Sequence, residues 1–273
     1  MVINNIVIWR DVFAIRPVVV FGVIELERIS SRKNTVIQHV RLLARDIEYR
    51  NANGEYVCDG WKLFEEARSH GCQIRTIIWK EEGDPSILDV ENQYVVPGDL
   101  FDYASPMKNS PGPLFTVRMV KQDRTPVNQA IVLENVQDPG NVGTVIRTAN
   151  AMNIPAVILC GDCADRYHPR TVRASMGALF RQKIYAVHQP SDLKDLITGK
   201  LYGAALSDES IDIRTTSLTD VSVAIGNEGN GLSEELISLC DELVIIPMNP
   251  DSESLNAASA SSVIMWEMAR DRL

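Results

Sequence analysis

From Gln129 to the C-terminus, short apolar strands alternate with helical stretches. The strands are rich in Val, Ile and Ala, and most of them are followed by a segment with helical spacing. Apolar strands that alternate with helices form a parallel sheet covered on both faces. The sequence therefore predicts an α/β fold whose ligands bind at the carboxyl ends of the strands.

Three of these strands end in loops of unusual composition. AIVLEN continues into VQDPGNVG, SVAI into GNEGNG, and LVIIPM into NPDSESLN. Glycine in the first two loops permits a close approach of the backbone to a ligand. The first loop has the spacing GxxG rather than GxGxxG, which disfavours a nicotinamide site. We expect the three loops to meet at one edge of the sheet.

Several residues near these loops are candidates for function. A helix that starts at Asn141 places Arg147 about two turns in, where it can face back over the sheet edge. Glu228 is the single charge of its loop and can orient an arginine or accept a hydrogen bond. Small residues from Ala257 to Ser262 would let another backbone or a flat ligand approach the last helix. A solvated arginine, an exposed turn glutamate and a tightly packed, capped helix are the structural alternatives.

The chain divides into a smaller and a larger predicted domain. Residues 29–110 fit a small α/β domain, in which EYVCDG and QIRTIIWK are strands and ILDVENQYVV fits a helix or a strand. Residues 111–128 have the breakers and charges of a linker, with a lead-in strand, LFTVRMV, that could belong to either domain. Residues 129–273 form the parallel-sheet domain. Residues 1–28 are an atypical apolar extension, in which the apolar run is too short to span a bilayer.

Charge and cysteine content restrict the partners and the compartment. The net charge of −9 argues against a non-specific polyanion binder. Between Arg28 and Lys80 the local charge is +4, from 10 basic and 6 acidic residues, which fits an RNA-facing surface or a solvated face. Five scattered cysteines predict no disulfide framework and a reducing cytoplasm. The CxxC of Cys160 and Cys163 has no second pair, so we predict no metal site.

The three loops together resemble a known set of motifs. PGNVGTVIRTANA, IGNEGNGLSEE and IPMNPDSESLNAASA are similar, in order and spacing, to the motifs of the SpoU/TrmH family of RNA ribose 2′-O-methyltransferases, in the SPOUT superfamily. The resemblance covers residues 129–273, and the segment from about Ile29 to Tyr103 is similar to the RNA-binding domain of rRNA-directed members. It implies a deep trefoil (α/β) knot in the C-terminal domain, S-adenosylmethionine as cofactor, and a homodimer. Periodicity alone predicts an ordinary doubly wound sheet.

The resemblance also implies roles for individual residues. Arg147 matches the family's catalytic arginine, and Asn141 matches the asparagine that orients that arginine or the ribose. Because the pKa of an arginine lies above about 12, we expect Arg147 to stabilise a developing alkoxide rather than act as a base. The implied catalytic residues are Asn141, Arg147, Glu228, Ser254 and Asn256. The implied cofactor residues are Ala205, Leu206, Gly226, Asn227, Ile246, Met248 and Leu255. The expected RNA contacts are Arg173 and Ser175, with Lys33 and Arg41 on the basic N-terminal face.

The expected activity is therefore methylation of a ribose 2′-hydroxyl in RNA, with 23S rRNA as the first choice of substrate. A tRNA substrate is the alternative within the same class. A non-catalytic RNA-binding or ribosome-assembly factor that kept the knot is an alternative from another class, and a nucleotide-dependent oxidoreductase is the third. An assay of methyl transfer to total RNA distinguishes a methyltransferase from a non-catalytic factor. Calorimetry with S-adenosylmethionine and with a nucleotide cofactor distinguishes a methyltransferase from an oxidoreductase.

Overall fold

The chain forms two compact units, described here separately. One unit ends at Met119 and the other begins at Val120. The predicted N-terminal extension falls mainly on residues 1–25, which lie outside the described residues. The computed structural model describes residues 26–81, 90–121, 123–249, 251 and 254–272.

The first unit is built on a five-stranded sheet with helices packed on it. Its strands are β1 (Glu27–Arg28), β2 (Glu55–Asp59), β3 (Ile74–Lys80), β4 (Asn92–Val96) and β5 (Leu114–Arg118). Its helices are α1 (Thr35–Arg45), α2 (Ile47–Asn53), α3 (Trp61–Ser69) and α4 (Gly98–Ala104). The strand order is β1-β4-β3-β5-β2, in which β5 runs antiparallel to both of its neighbours.

Two helices follow β1. Asn34 begins α1 by accepting a hydrogen bond from the backbone N–H of Val36. Asp46 then ends α1 in an extended conformation, and its side chain caps α2. Ile37, Val40 and Leu43 form the buried face of α1, whereas Leu42 is exposed.

The segment expected to link the domains belongs in part to the first sheet. Residues 111–128 were predicted as a linker with a lead-in strand, whereas β5 pairs with β2 and β3 inside the first unit. Leu114 and Phe115 are both buried there, although successive side chains of a strand point to opposite faces, so both faces of the sheet are covered at β5. β1 likewise pairs with β4, so Glu27 and Arg28 also belong to the first sheet.

The second unit has a seven-stranded sheet in which every pairing is parallel. The strands are β6 (Ala130–Glu134), β7 (Ala156–Cys160), β8 (Lys183–Val187), β9 (Lys200–Ala204), β10 (Ile211–Asp212), β11 (Val221–Ile225) and β12 (Glu242–Ile245). The helices are α5 (Pro139–Ala151), α6 (Pro169–Ala174), α7 (Glu234–Leu239) and α8 (Ala257–Ala269). The order β10-β12-β9-β11-β6-β7-β8 confirms the predicted parallel-sheet α/β domain.

Three helical segments of this unit are short. α6 ends at Ala174, because Met176 and Gly177 both adopt positive φ. A 3₁₀ turn, Ala178–Phe180, follows. Pro190–Asp195 forms a second 3₁₀ helix.

The core of the second unit surrounds its central strands. β6, β7 and β11 are buried along their whole length, as strands covered on both faces must be. One face of the sheet packs on α7, and α5 packs with α8. No helix of the described residues is long and apolar enough to cross a membrane.

Candidate functional site

The first loop connects β6 to α5. Asp138 caps α5, because its side chain accepts a hydrogen bond of 3.0 Å from the backbone N–H of Asn141. Pro139 occupies the first turn, where its missing N–H and fixed φ suit a helix start. The helix therefore begins two residues before the expected start, and Asn141 lies in its first turn.

The second loop, residues 226–232, is closed on itself. Asn227 and Gly231 exchange backbone hydrogen bonds of 3.2 and 2.8 Å. A Cβ on Gly226 would lie 2.1 Å from the carbonyl of Gly231, so the loop closes only with glycine at position 226. Glu228 lies exposed within this loop.

The third loop ends where Asn256 caps α8. The side-chain oxygen of Asn256 accepts hydrogen bonds from the backbone N–H groups of Ala258 and Ser259, at 2.9 and 3.3 Å. Ala257 and Ala258 are buried behind this cap. The small residues of this segment therefore serve tight packing, and the cap leaves the amide nitrogen of Asn256 available for a second bond.

Asn141 joins the three loops. Its Nδ2 donates to Glu228 Oε1 at 2.5 Å, and its Oδ1 accepts from Asn256 Nδ2 at 3.2 Å. These partners are 87 and 115 positions away in the sequence. The carboxyl ends of parallel strands have brought three predicted catalytic residues into one hydrogen-bonded chain.

A cavity of about 450 Å³ lies beside this chain of residues. Its size fits that of typical small-ligand sites, about 300 to 1,000 Å³. Glu228 and Ser254 also line it, and Glu228 is the one charged residue among the lining residues that the structure describes. All seven predicted cofactor residues line this cavity: Ala205, Leu206, Gly226, Asn227, Ile246, Met248 and Leu255.

Arg147 lies apart from the cavity lining. It is exposed on α5, and no hydrogen bond or ion pair joins it to another residue that the structure describes. Asn141 makes no hydrogen bond to Arg147, because its side chain bonds Glu228 and Asn256. The two residues are six positions apart on the helix, which places Arg147 about 120° around the helix axis from Asn141.

Known proteins share this architecture and its motifs. The sequence profile of the SpoU rRNA Methylase family matches residues 128–266. The chain belongs to this family. Its similarity to individual members extends over both units.

Three relatives illustrate the extent of the similarity. The chain is 30% identical over 267 residues to the 23S rRNA (uridine(2479)-2′-O)-methyltransferase of Streptomyces viridochromogenes, which covers 90% of this chain and 93% of that one. It is 27% identical over 247 residues to the 23S rRNA (guanosine(2553)-2′-O)-methyltransferase RlmP of Bacillus subtilis. That match covers 89% of this chain and 99% of RlmP. This chain also superposes on the crystal structure of the SpoU methyltransferase AviRb from Streptomyces viridochromogenes with the cofactor AdoMet. The TM-score is 0.79 at 28% sequence identity, and the match covers 88% of this chain and 98% of AviRb.

The four expected RNA contacts differ in accessibility. Lys33 and Arg173 are exposed. The guanidinium of Arg41 lies 3.7 Å from the centre of the Tyr103 ring and donates to the carbonyl of that residue. Ser175 is fully buried, and its hydroxyl donates to the carbonyl of Val172 at 2.7 Å. The prediction of Ser175 as an RNA contact is therefore withdrawn.

Two residues at the end of β6 belong to the site but were not predicted. Asn135 has a φ of 55°, and its side chain accepts a hydrogen bond of 2.8 Å from the backbone N–H of Asp162. Glu134 is 2% exposed, and its carboxylate binds Ser233. An asparagine directly after an apolar strand is a signal for left-handed backbone. A charged residue at the last position of such an apolar strand, here Glu134, is the signal that could have identified the second residue.

Of the CxxC cysteines, Cys160 is buried and Cys163 is half-buried. Burial raises the pKa of the Cys160 thiol to about 12 and that of the Cys163 thiol to about 11. The Cys163 thiol donates to the carbonyl of Leu133 at 3.2 Å. No cluster of three or more His, Cys, Asp or Glu in the described part of the chain could hold a metal. These thiols pack the strand ends in their neutral form.

Proposed function

We propose that this protein methylates a ribose 2′-hydroxyl in 23S rRNA, with S-adenosylmethionine as the methyl donor. The observation that carries the proposal is the position of Asn141, which links Glu228 and Asn256 beside a cavity lined by the predicted cofactor residues. Membership in the SpoU family supports the same chemistry. The names of two relatives, each a 23S rRNA 2′-O-methyltransferase, support the choice of RNA.

The cavity suits S-adenosylmethionine in size and in charge. Its walls are mostly apolar side chains and loop backbone, as in other small-ligand sites. No described residue of its lining is basic, and Glu228 supplies a carboxylate, which favours a ligand that carries a positive charge. When bound, S-adenosylmethionine supplies a methyl group activated by its sulfonium.

The protein's part in the reaction is to hold the ribose and to favour release of the proton of its 2′-hydroxyl. Transfer forms a carbon–oxygen bond at the 2′-oxygen, breaks the carbon–sulfur bond, and releases the hydroxyl proton. Asn141, Glu228 and Asn256 form a fixed polar wall that can hold the ribose, and such positioning supplies much of the acceleration in a two-reactant step. Water or a phosphate oxygen takes the proton.

Arg147 has the chemistry to stabilise the developing alkoxide. A guanidinium carries a positive charge, so Arg147 can lower the proton affinity of a nearby hydroxyl without acting as a base. Among the described residues it has no partner, so its five N–H donors are available to RNA. We assign the electrostatic role to Arg147 and the positioning role to Asn141.

The first unit is the proposed RNA-binding domain, and residues 129–273 form the proposed methyltransferase domain. The local charge of +4 between Arg28 and Lys80 supports this division. Lys33 on the first unit and Arg173 on the second are its proposed RNA contacts. Five free cysteines fit a proposed cytoplasmic location.

We also propose the trefoil knot and a homodimer. The chain returns from β12, near one edge of the sheet, to pack α8 against α5 and β11, which is the kind of crossing that a knot requires. Val263 and Trp266 of α8 are 39% and 52% exposed. Exposed apolar side chains on a packed helix support a further contact between subunits.

The proposal is tested by methyl transfer in vitro. Purified protein is incubated with S-adenosylmethionine labelled in the methyl group and with 23S rRNA, 16S rRNA or tRNA in separate reactions. Digestion to nucleosides should place the label in a 2′-O-methylated nucleoside from 23S rRNA. Label in tRNA alone would assign the alternative substrate, and RNA binding without transfer would favour a non-catalytic factor.

A further inference from the structure

Two consecutive residues at the end of β6 hold both ends of the second loop. The carbonyl of Asn135 accepts a hydrogen bond of 3.0 Å from Asn227 Nδ2, near the start of the loop. The carboxylate of Glu134 accepts from the backbone N–H of Ser233 at 2.8 Å and from its hydroxyl at 2.6 Å, just past the end of the loop. The loop is therefore anchored twice to the same strand.

The Glu134 anchor is buried and fully paired. Its carboxylate is enclosed beside Cys160, its partner in the register of β6 and β7. Ser233 also caps α7, because its Oγ accepts from the backbone N–H of Leu236 at 3.1 Å. A buried carboxylate is costly unless donors satisfy it, and each of its oxygens has one here.

We propose that Glu134 is a positioning residue for the methyl-transfer reaction. By fixing the second loop, Glu134 places Glu228 against Asn141 and holds one wall of the cavity. This assignment rests on the proposed function, since it concerns the same site. Glu134 acts through Ser233 and does not line the cavity.

The composition of the second loop explains why it needs such an anchor. Residues 226–231 contain three glycines, which give the unanchored loop many accessible conformations. All six of these residues line the cavity. A loop that shifts would move the carboxylate of Glu228 and the cavity wall together. Two fixed ends reduce the conformations available before any ligand binds.

The test compares four substitutions in the full-length protein. Glu134→Gln keeps the shape but turns an amide N–H₂ toward a donor of Ser233. Ser233→Ala removes the hydroxyl, and Ser233→Thr keeps it. Asp241→Asn is the matched control, because Asp241 accepts from the backbone N–H of Leu201 at 2.9 Å, at the other end of the strands.

Three quantities are measured for each variant: the Kd for S-adenosylmethionine, kcat and KM for RNA, and the amide exchange of residues 226–233 without ligand. Loss of a buried hydrogen bond to a charged group predicts a roughly tenfold weaker Kd and a lower kcat for Glu134→Gln and Ser233→Ala. Their loop amides should exchange faster, while KM for RNA stays unchanged. Ser233→Thr and Asp241→Asn should match the wild type in Kd and kcat.

The outcomes separate the two proposals. Wild-type protein that binds no S-adenosylmethionine would refute the proposed function, and unchanged loop exchange in Glu134→Gln would then also overturn the role of Glu134. An active wild type with Glu134→Gln equal to it in Kd, kcat and exchange would overturn the role of Glu134 alone. Equal losses in Asp241→Asn would overturn it too, because they would show a general effect of destabilisation.

Discussion

Asn141 donates from Nδ2 to Glu228 Oε1 over 2.5 Å and so ties the first turn of α5 to the glycine-rich second loop. Its acceptor is a carboxylate, and hydrogen bonds to a charged group are stronger than those between neutral groups. The same asparagine also accepts a hydrogen bond from Asn256. A substitution at any of the three residues should therefore alter the hydrogen bonds and positions of the other two.

The first prediction concerns Glu228. Glu228→Ala removes the acceptor of Asn141, and we expect kcat to fall by roughly one hundredfold, as for loss of a hydrogen bond to a charged group. Glu228→Gln keeps one acceptor oxygen and should lose about tenfold. Steady-state methyl transfer to 23S rRNA measures both variants. If Glu228→Ala turned over at the wild-type rate, this bond would have no part in catalysis.

The second prediction separates the two roles of Asn256. Asn256→Asp keeps the side-chain oxygen that caps α8 but replaces the donor to Asn141 with a second acceptor. We expect an unchanged Tm with a large loss of kcat. Asn256→Ala loses the cap as well, which should lower the free energy of unfolding by about 1 kcal/mol. Thermal unfolding and transfer assays check the pair, and full activity in Asn256→Asp would contradict the assignment.

The third prediction concerns Arg147. Arg147→Ala should abolish transfer while the Kd for S-adenosylmethionine stays within about twofold, because the side chain does not line the cavity. Arg147→Lys keeps a positive charge without the planar fork and should recover part of the rate. Arg270→Ala is the control, since this exposed arginine pairs with Glu267 at the other end of α8. Calorimetry and single-turnover kinetics measure the two effects, and near-normal turnover by Arg147→Ala would contradict the assignment.

The fourth prediction concerns the first unit. A protein that begins at Val120 retains the cavity and the bridge between Val127 and Ile197. It should bind S-adenosylmethionine as the full chain does and lose most of its affinity for rRNA. The RNA affinity of the full chain should fall with rising salt, because lysine and arginine contacts release counterions from the phosphates. Equal RNA binding by the two proteins would place the RNA surface on the second unit alone.

The fifth prediction concerns the pH dependence of the buried thiols. Their folded pKa values are raised above the unfolded value of about 8.5, to about 12 for Cys160 and about 11 for Cys163. Between the unfolded and the folded pKa values, the folded state therefore binds more protons than the unfolded state. The free energy of unfolding should fall as pH rises from about 8.5 toward 12. Native protein at pH 8 should react slowly with a thiol reagent, and denatured protein rapidly. Rapid labelling of the native CxxC would contradict their burial.

The strand positions followed from the apolar pattern, whereas the residues that line the cavity were expected only from the resemblance to the SpoU/TrmH motifs. β6, β7 and β11 are the apolar runs that the pattern predicts, because a strand buried on both faces is apolar at most of its positions. Glu134 in β6 and Ser222 in β11 are the exceptions in these three strands. The three loops meet because parallel strands end at one edge. The two-residue strand β10 was not predicted, since so short an element has no period to detect.

The contacts that fix the loops could not be deduced from the sequence. Asn141 bonds Glu228, which is 87 positions away in the sequence, and α5 begins two residues earlier than expected. The burial of Ser175 follows from the packing of α5 on α6, where a Cβ on Gly143 would lie 2.5 Å from the carbonyl of Thr171. Such close contacts between helices depend on tertiary packing. A single sequence does not give the distances between packed helices.

The most direct test of the proposed function is a map of 2′-O-methyl sites in ribosomal RNA from cells with and without the gene. We expect a ribose of 23S rRNA that is methylated in the parent and unmethylated in the deletion strain. Wild-type protein should restore the modification, and the Arg147→Ala variant should not. Identical maps from the two strains, or full restoration by Arg147→Ala, would contradict the proposed function and its mechanism.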